Sequence, residues 1–320
     1  MMRTTSHRFT LASVRIQNVA LLHVLFIWFI TSGCSIRHYA LNKVADALAQ
    51  SGTTFSSDDD PELIKAAAPL SLKLMEAILE ESPSNQGLLT AAASGFTQYA
   101  FAFVQEDADE LESTDLVAAE ALRVRARRLY FRAQRYGLRG LEVHYPPFTR
   151  NLLLNPKATA LQATKKEVPL LYWTAAAWAS IISLSKDNPN LVGEIPAMEA
   201  LIDRALELDE GYANGSIHTF LITYEMIRAR AVGDPAVRAR KHFVRAMELS
   251  HGTDASPLVA LAEAVTIQLQ DPKEFESLLT RALAINPDAH PENRLVNLVM
   301  QRRARWLLGR KSELFLTNAP

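Results

Sequence analysis

RALELDEGYANG, at residues 204–215, is the first of three similar stretches that indicate how this chain folds. The other copies are RAMELSHGTDAS at 245–256, RALAINPDAHPE at 281–292 and a weaker one, EAILEESPSNQG, at 76–87. Their shared alanines, Ala205, Ala246 and Ala282, are 41 and 36 residues apart. Tetratricopeptide repeats place a small residue where paired helices touch, and each pair buries its remaining face by stacking on the next. The spacing therefore predicts degenerate tetratricopeptide-like helical pairs, an α-solenoid, with an irregular helical bundle as the alternative.

The residues between these copies have helical spacing. In YANGSIHTFLITYEMIRARA, residues 212–231, one helix face is apolar: Ile217, Phe220, Leu221, Tyr224 and Ile227. Asp234 and Asp271 each precede a proline, which is typical of an N-cap followed by the first helical residue. Strand patterns are nearly absent, so we expect an all-α fold. Loops are predicted at residues 51–60, 106–112 and 144–159, the second of them acidic and solvated.

Two segments are apolar on nearly every side, GLLTAAASGFTQYAFAF at 87–103 and PLLYWTAAAWASIISLSKDNP at 169–189. A helix without a polar face is buried, so these segments predict a central helical layer around which the helical pairs are wrapped. Large aromatic side chains in such a layer either form core or surround an apolar cavity. For the second case the candidate ligand-binding residues are Phe96, Tyr99, Phe103, Trp173, Trp178 and Tyr224.

One helical segment carries a basic stripe. Arg128, Arg132, Arg135 and Arg139 lie at i, i+4, i+7 and i+11, which is one side of a helix. Like charges at this spacing repel each other unless carboxylates lie between them. The stripe therefore either faces an acidic neighbouring helix or forms a docking face for an acidic partner or a carboxylate-bearing ligand.

Cys34 is the only cysteine, and it follows the apolar run VALLHVLFIWFI at residues 19–30. Arginines and no acidic residues occur in the first 33 residues, and small residues precede the cysteine, as in a secretory signal peptide. The residues before Cys34 resemble a bacterial lipobox, so we expect a lipid on Cys34 rather than a buried thiol. Ser35 is not the aspartate that retains lipoproteins in the inner membrane, which favours the outer membrane. The predicted regions are a signal peptide at 1–33, the lipid anchor and N-terminal segment at 34–60, and the helical domain at 61–320.

Composition and motifs exclude several functions. Without the three arginines of residues 1–33, the chain has 31 Lys and Arg residues against 35 Asp and Glu residues, a formal charge of −4. This balance gives no reason to expect nucleic acid as a partner. No HExxH, GxSxG, P-loop or GxGxxG motif occurs, so no catalytic residue, metal site or cofactor is predicted.

Five segments together with the lipobox resemble the TatT family, the TPR-containing T components of tripartite ATP-independent periplasmic (TRAP) transporters. They are GFTQYAFAFVQEDADE at 95–110, YGLRGLE at 136–142, the segment at 169–189, the turn at 204–215 and NLVMQRRARWLLGRKSELF at 297–315. The resemblance implies a helical, TPR-like lipoprotein on the periplasmic side of a membrane. It also implies a homotrimer with a central pore, an apolar cleft in each subunit, and the periplasmic solute-binding P component as the partner.

The expected function is therefore a non-enzymatic accessory of solute uptake. It would capture a small lipophilic or carboxylate-bearing ligand in an apolar cleft and pass it to the bound P component. The alternative is a TPR lipoprotein that acts as a scaffold in outer-membrane or envelope assembly. A periplasmic hydrolase is a third possibility, for which the sequence offers no nucleophile and base pair.

Overall fold

The computed structural model describes residues 52–229 and 231–316, and all regular secondary structure in these ranges is helical. The α-helices are α1 Gly52–Ser56, α2 Pro61–Glu81, α3 Gln86–Ala100, α4 Glu106–Leu111, α5 Leu116–Glu142, α6 Phe148–Leu154, α7 Pro156–Ala160, α8 Val168–Ser183, α9 Pro189–Gly193, α10 Ile195–Leu208, α11 Ser216–Glu225, α12 Pro235–Leu249, α13 Ser256–Leu261, α14 Pro272–Ala284, α15 Arg294–Gly309 and α16 Lys311–Leu314. The segments Phe101–Gln105, after α3, and Ala262–Thr266, after α13, are π-helical. The all-α prediction is confirmed. The predicted signal peptide and Cys34 lie outside the described residues.

Local capping chemistry starts the helices where the sequence predicted. The side chain of Asp234 accepts a hydrogen bond from the Val237 backbone N–H at 3.0 Å. Asp271 accepts from Glu274 at 2.9 Å, and Asp60 caps α2 in the same way. Each of these residues precedes a proline at the first helical position, where the missing N–H has no helical partner to lose.

The repeated alanines lie where helices meet. Ala205, Ala246 and Ala282 are all fully buried. A left-handed turn brings Gly215, with φ of 89°, so close to α12 that an added Cβ would lie 3.3 Å from the Ala246 Cα atom. Only glycine has both the conformation and the space here. In the weaker copy the equivalent residue, Ala77, is exposed on α2, so that helix makes no comparable contact there with any described residue.

Successive helices pack on each other along the chain: α2 on α3, α3 on α5, α5 on α8, α8 on α10, α11 on α12, α13 on α14 and α14 on α15. Their buried side chains form an N-terminal, a middle and a C-terminal core. Helix α8 contributes to two of them, since Ala177 and Ile181 belong to the N-terminal core and Trp178 and Ile182 to the middle core. The burial that the sequence predicts for the apolar segment 169–189 is therefore observed in α8.

Helices α5 and α8 approach each other closely because glycines face α8. A Cβ atom on Gly137 would lie 2.0 Å from the Thr174 hydroxyl oxygen, and one on Gly140 would lie 2.5 Å from a methyl group of Leu170. Even a single methyl side chain does not fit at either position, so the two glycines set the distance between α5 and α8. One side of α5 is thereby held firmly against the core while its opposite side faces solvent.

Three loop predictions were wrong, at least in part. Residues 106–111 form helix α4, residues 148–154 and 156–160 form α6 and α7, and a short helix, α1, lies within residues 51–60. Ile227, which the sequence placed on the apolar face of the helix at 212–231, is 69% exposed. It lies beyond the last turn of α11. None of the helices in the described ranges is both long and apolar enough to cross a membrane.

Candidate functional site

Five of the six aromatic residues predicted to bind a ligand are core residues. Phe96, Tyr99 and Phe103 lie in the N-terminal core, and Trp178 and Tyr224 lie in the middle core, all at most 7% exposed. Three of them also make polar contacts in the folded chain, and the Tyr99 hydroxyl accepts from Arg125 at 3.2 Å. The Trp178 indole N–H donates to Glu194 at 2.9 Å, and the Tyr224 hydroxyl donates to Glu199 at 2.9 Å. Their packing accounts for their size and position, and a ligand role for them stays a prediction.

Trp173 differs from the other five because it is only half-buried. It lies with Tyr172 and Tyr212 in an aromatic cluster. The centroid of the Tyr172 ring is 4.8 Å from that of Trp173 and 5.5 Å from that of Tyr212. Asp254 lies within electrostatic range of Tyr172 and accepts a hydrogen bond from the Ser256 backbone N–H at 2.8 Å. Burial raises the pKa values of Tyr172, Tyr212 and Asp254. The cluster thus combines partly accessible aromatic surface with polar groups in a desolvated environment.

The predicted basic stripe lies on the solvent side of α5. Arg128 and Arg135 are exposed, and Arg132 and Arg139 are half-buried. Arg125 extends the stripe by one turn toward the start of the helix. At 100° per residue, all five side chains fall within an arc of about 80°, along about 21 Å of helix. We call these five residues the arginine face.

Aromatic rings lie beneath alternate members of the arginine face. The guanidinium carbons of Arg125 and Arg132 are each 5.8 Å from a ring centroid, that of Tyr99 and that of Phe96 respectively. The same carbon of Arg139 is 5.6 Å from the ring of Tyr136. These are cation–π distances, so the rings attract and orient the guanidinium groups. Two aromatic residues that the sequence assigned to a ligand cavity thus support the arginines.

Glu76 is the one carboxylate, among the described residues, that pairs with the arginine face. It lies 3.5 Å from Arg132 and is shared with Lys73 at 2.5 Å and with the Tyr136 hydroxyl at 2.9 Å. Burial alone would raise the pKa of Glu76, but the hydrogen bonds from Lys73 and Tyr136 and the charge of Arg132 lower it. Arg125 and Arg139 bond neutral acceptors, the Tyr99 hydroxyl and the Pro83 carbonyl. Most of the positive charge of the face is therefore not neutralised within the described chain.

A second arginine cluster connects α15 with α4, which lies far from it in the chain. Arg302, on α15, pairs with Asp107 at 2.9 Å and with Glu110 at 2.7 Å. Its neighbour Arg303 pairs with Asp109 at 2.8 Å and with Glu263. The acidic segment that the sequence predicted as a solvated loop is thus a helix that binds arginines about 190 residues away in the chain.

Glu106 is the most deeply buried member of this charged cluster. Its side chain is 1% exposed, and neither carboxylate oxygen has a hydrogen-bond partner in the part of the chain that the structure describes. Burial raises the pKa of Glu106 to about 8, although the charges of Arg303 and Arg302 oppose the change. The carboxyl group is therefore predominantly protonated at neutral pH. No group of three or more His, Cys, Asp or Glu side chains among the described residues is arranged to hold a metal ion.

Sequence reasoning did not identify Arg125, Glu106 or the partners of Trp173. Arg125 lies three residues before Arg128 and shares its helix face, so the helical period contained the signal for it. Glu106 is one of several acids in a row, and only the fold shows which of them is buried. Tyr212 precedes α11 and meets α8 only through tertiary packing, which no local pattern reports.

The profile of a family described as TAtT, TRAP transporter T-component, matches residues 57–315. A protein of Treponema pallidum (strain Nichols), described as an uncharacterized protein, is 28% identical over 303 residues. That alignment covers 89% of this chain and 94% of the Treponema protein. The family match includes every helix from α2 to α16, and with them both arginine clusters and the aromatic cluster.

Proposed function

Since this chain belongs to the TRAP transporter T-component family, we propose that it is a periplasmic accessory protein that binds the solute-binding P component of a TRAP transporter. The observation that carries this proposal is the family match, which spans nearly all of the described helices. An all-helical chain whose consecutive helices pack on each other is also suited to protein binding, since helical arrays present long continuous surfaces.

The proposal also covers the helical architecture, the membrane anchor and the oligomeric state of the protein. We propose that the packed helical pairs form a TPR-like solenoid, that the mature chain starts at Cys34, and that a lipid on this cysteine anchors it to the outer membrane. The lipobox-like residues before Cys34 support the anchor. The family resemblance supports a homotrimer with a central pore.

We propose that the aromatic cluster of Tyr172, Trp173 and Tyr212 forms part of the wall of the ligand cleft. Half-buried aromatic rings offer apolar contact surface, and their hydroxyl and indole groups can orient a ligand. A small lipophilic molecule with one polar end, such as a carboxylic acid, fits this chemistry. The ligand would be passed to the bound P component.

Affinity capture from the native bacterium tests the function. The full chain, carrying an affinity tag and extracted with mild detergent, is recovered with its bound proteins, which are identified by mass spectrometry. An unrelated lipoprotein with the same tag serves as the control. We expect recovery of a solute-binding protein of the TRAP type with the tagged chain and not with the control. Recovery of outer-membrane assembly proteins without any solute-binding protein would instead favour the envelope scaffold.

A further inference from the structure

We propose that the arginine face of α5 binds an acidic helix or loop of a protein partner through guanidinium–carboxylate pairs. This partner is the P component, an assignment that rests on the proposed function. The face itself is argued from its charges and geometry.

The fold leaves the charge of the arginine face available. From residue 121 to residue 141, α5 contains seven arginines and no acidic residue. Two of the seven lie on the other side of α5 and bond acceptors within the fold, since Arg123 pairs with Asp109 and Glu112 and Arg127 donates to the Leu184 carbonyl. The remaining five form the arginine face. Two of its exposed members, Arg128 and Arg135, have no acceptor or ion-pair partner among the described residues.

Neighbouring like charges destabilise a helix, so a fold that gains nothing from these arginines would be more stable without them. Each step along the face, from Arg125 to Arg132 to Arg139, is two helical turns and places a guanidinium group against an aromatic ring. A guanidinium group that is already oriented loses less conformational freedom when it binds a carboxylate. The rings therefore prepare the face for binding and do not neutralise it.

The dimensions of the face suit a single acidic segment. Arg128 and Arg135 are seven residues apart, or about 10.5 Å along the helix axis. Carboxylates seven residues apart on a partner helix repeat at the same distance, so two helices lying side by side can pair their charges. Arginine can bind a carboxylate with two parallel hydrogen bonds, which gives such pairs directional specificity.

The charge distribution favours a protein partner over a membrane surface or a nucleic acid. The chain as a whole has a formal net charge of −1, which does not favour a polyanion. The five arginines form one narrow line of side chains, and Glu76, which pairs with Lys73 and Arg132, lies at its edge. A flat anionic surface would bring phosphate groups against this carboxylate, whereas a single helix or loop contacts the line alone.

Charge reversal tests the proposal. The variant Arg128→Glu/Arg135→Glu reverses the charge of two exposed residues. Neither arginine makes an ion pair in the described chain, so we expect the variant to keep its fold. The matched control is Arg281→Glu/Arg305→Glu, which reverses two other exposed arginines, on α14 and α15, that pair with no described residue. Circular dichroism and denaturant unfolding verify that the three proteins are equally folded. Binding is then measured for the full chain with the P component and, separately, with a synthetic poly-L-glutamate peptide.

We expect the Arg128→Glu/Arg135→Glu variant to bind the P component at least about tenfold more weakly than wild type, and the control to bind as wild type does. Equal binding by all three proteins would overturn the proposed surface and leave the proposed function intact. Failure of wild type to bind the P component would instead contradict the proposed function. In that event the poly-L-glutamate titration still decides the inference, because we expect the peptide to bind wild type and the control but not the reversed variant.

Two further titrations separate protein from other anions. Vesicles containing anionic phospholipid and a double-stranded DNA fragment are tested against the same three proteins. We expect neither to show binding that depends on Arg128 and Arg135. Vesicle or DNA binding that is lost in the reversed variant, together with no peptide binding, would overturn the proposal of an acidic protein partner.

Discussion

Helices α5 and α15 are both rich in arginine, but the two sets have opposite surroundings. Arg302 and Arg303 of α15 meet four carboxylates from distant parts of the chain. Arg128 and Arg135 of α5 meet none among the described residues and point into solvent. Arg302 and Arg303 connect α15 to α4. Arg128 and Arg135 form no hydrogen bond or ion pair with a described residue.

The difference separates arginines that stabilise the fold from arginines that are available for binding. Burial distinguishes them, since Arg303 is 9% exposed and stacks on Trp306 at 4.5 Å. A buried charge must be paired, because leaving it alone costs several kcal/mol, whereas an exposed charge is solvated by water. Each set therefore predicts a different response to mutation.

The largest effect is expected from Arg303→Met. This change removes the buried charge that Asp109 and Glu263 share, but both carboxylates are partly solvated and Asp109 keeps Arg123 as a second partner. The free energy of unfolding should therefore fall by about 2–4 kcal/mol, less than for a fully buried pair. Arg305→Met, on the exposed side of the same helix, is the control and should change it by less than about 0.5 kcal/mol. Urea denaturation measures both. Similar free energies of unfolding for the two variants would show that the ion pairs between α15 and α4 do not stabilise the fold.

Glu106 predicts a pH dependence of stability. A carboxyl group whose pKa is raised from 4.5 to about 8 by folding stabilises the native state fully below pH 4.5 and loses that contribution as the pH rises toward 8. The free energy of unfolding should therefore fall by a few kcal/mol between these pH values because of this group. In Glu106→Gln, which cannot ionise, this part of the slope should disappear. Parallel slopes in wild type and variant, measured by urea denaturation at several pH values, would refute the assignment.

A smaller loss of stability is expected from a change on the buried side of α5. Gly137→Ala would place a methyl group 2.0 Å from the Thr174 hydroxyl, so α5 would have to move away from α8. Overpacking of this kind costs about 1–3 kcal/mol. Gly193→Ala is the control, since no atom lies within 4 Å of the added Cβ. Thermal unfolding should show a lower melting temperature for the first variant only, and a tolerated Gly137→Ala would mean that α5 is not held at this distance.

The smallest effect on stability is expected at the arginine face. Replacing the two exposed arginines that pair with no described residue, in Arg128→Ala/Arg135→Ala, should change the free energy of unfolding by less than about 0.5 kcal/mol. The sign should be slightly favourable, since like-charge repulsion along α5 is reduced. A loss above about 1 kcal/mol in urea denaturation would show that these arginines serve the fold after all.

Features that depend on adjacent residues were predictable from the sequence. The N-caps Asp234 and Asp271 act on backbone N–H groups two or three residues away, so their effect is visible in a short window. The buried alanines were found for a similar reason, because a repeated contact leaves a repeated small residue. The apolar segment that became α8 was recognised as buried because a helix with no polar face cannot lie at a surface.

Features that depend on distant residues were not predictable. The segment that became α4 is strongly acidic, and only the arginines of α15 explain why it is folded against the protein and not solvated. Aromatic side chains posed a related problem, since size and spacing do not tell a core residue from a ligand contact. Phe96 and Trp173 look alike in sequence, but the first is buried under Arg132 and the second is half-exposed.

Titration of the full chain with the P component, at low and high ionic strength, tests the account most directly. Isothermal titration calorimetry at roughly 50 mM and 500 mM NaCl spans a change in Debye length from about 14 Å to about 4 Å. We predict a complex at low salt whose affinity falls strongly at high salt, as expected when unpaired arginines bind carboxylates. The absence of a complex at both salt concentrations would contradict the function proposed for this chain. An affinity independent of salt would contradict the role of its arginine face.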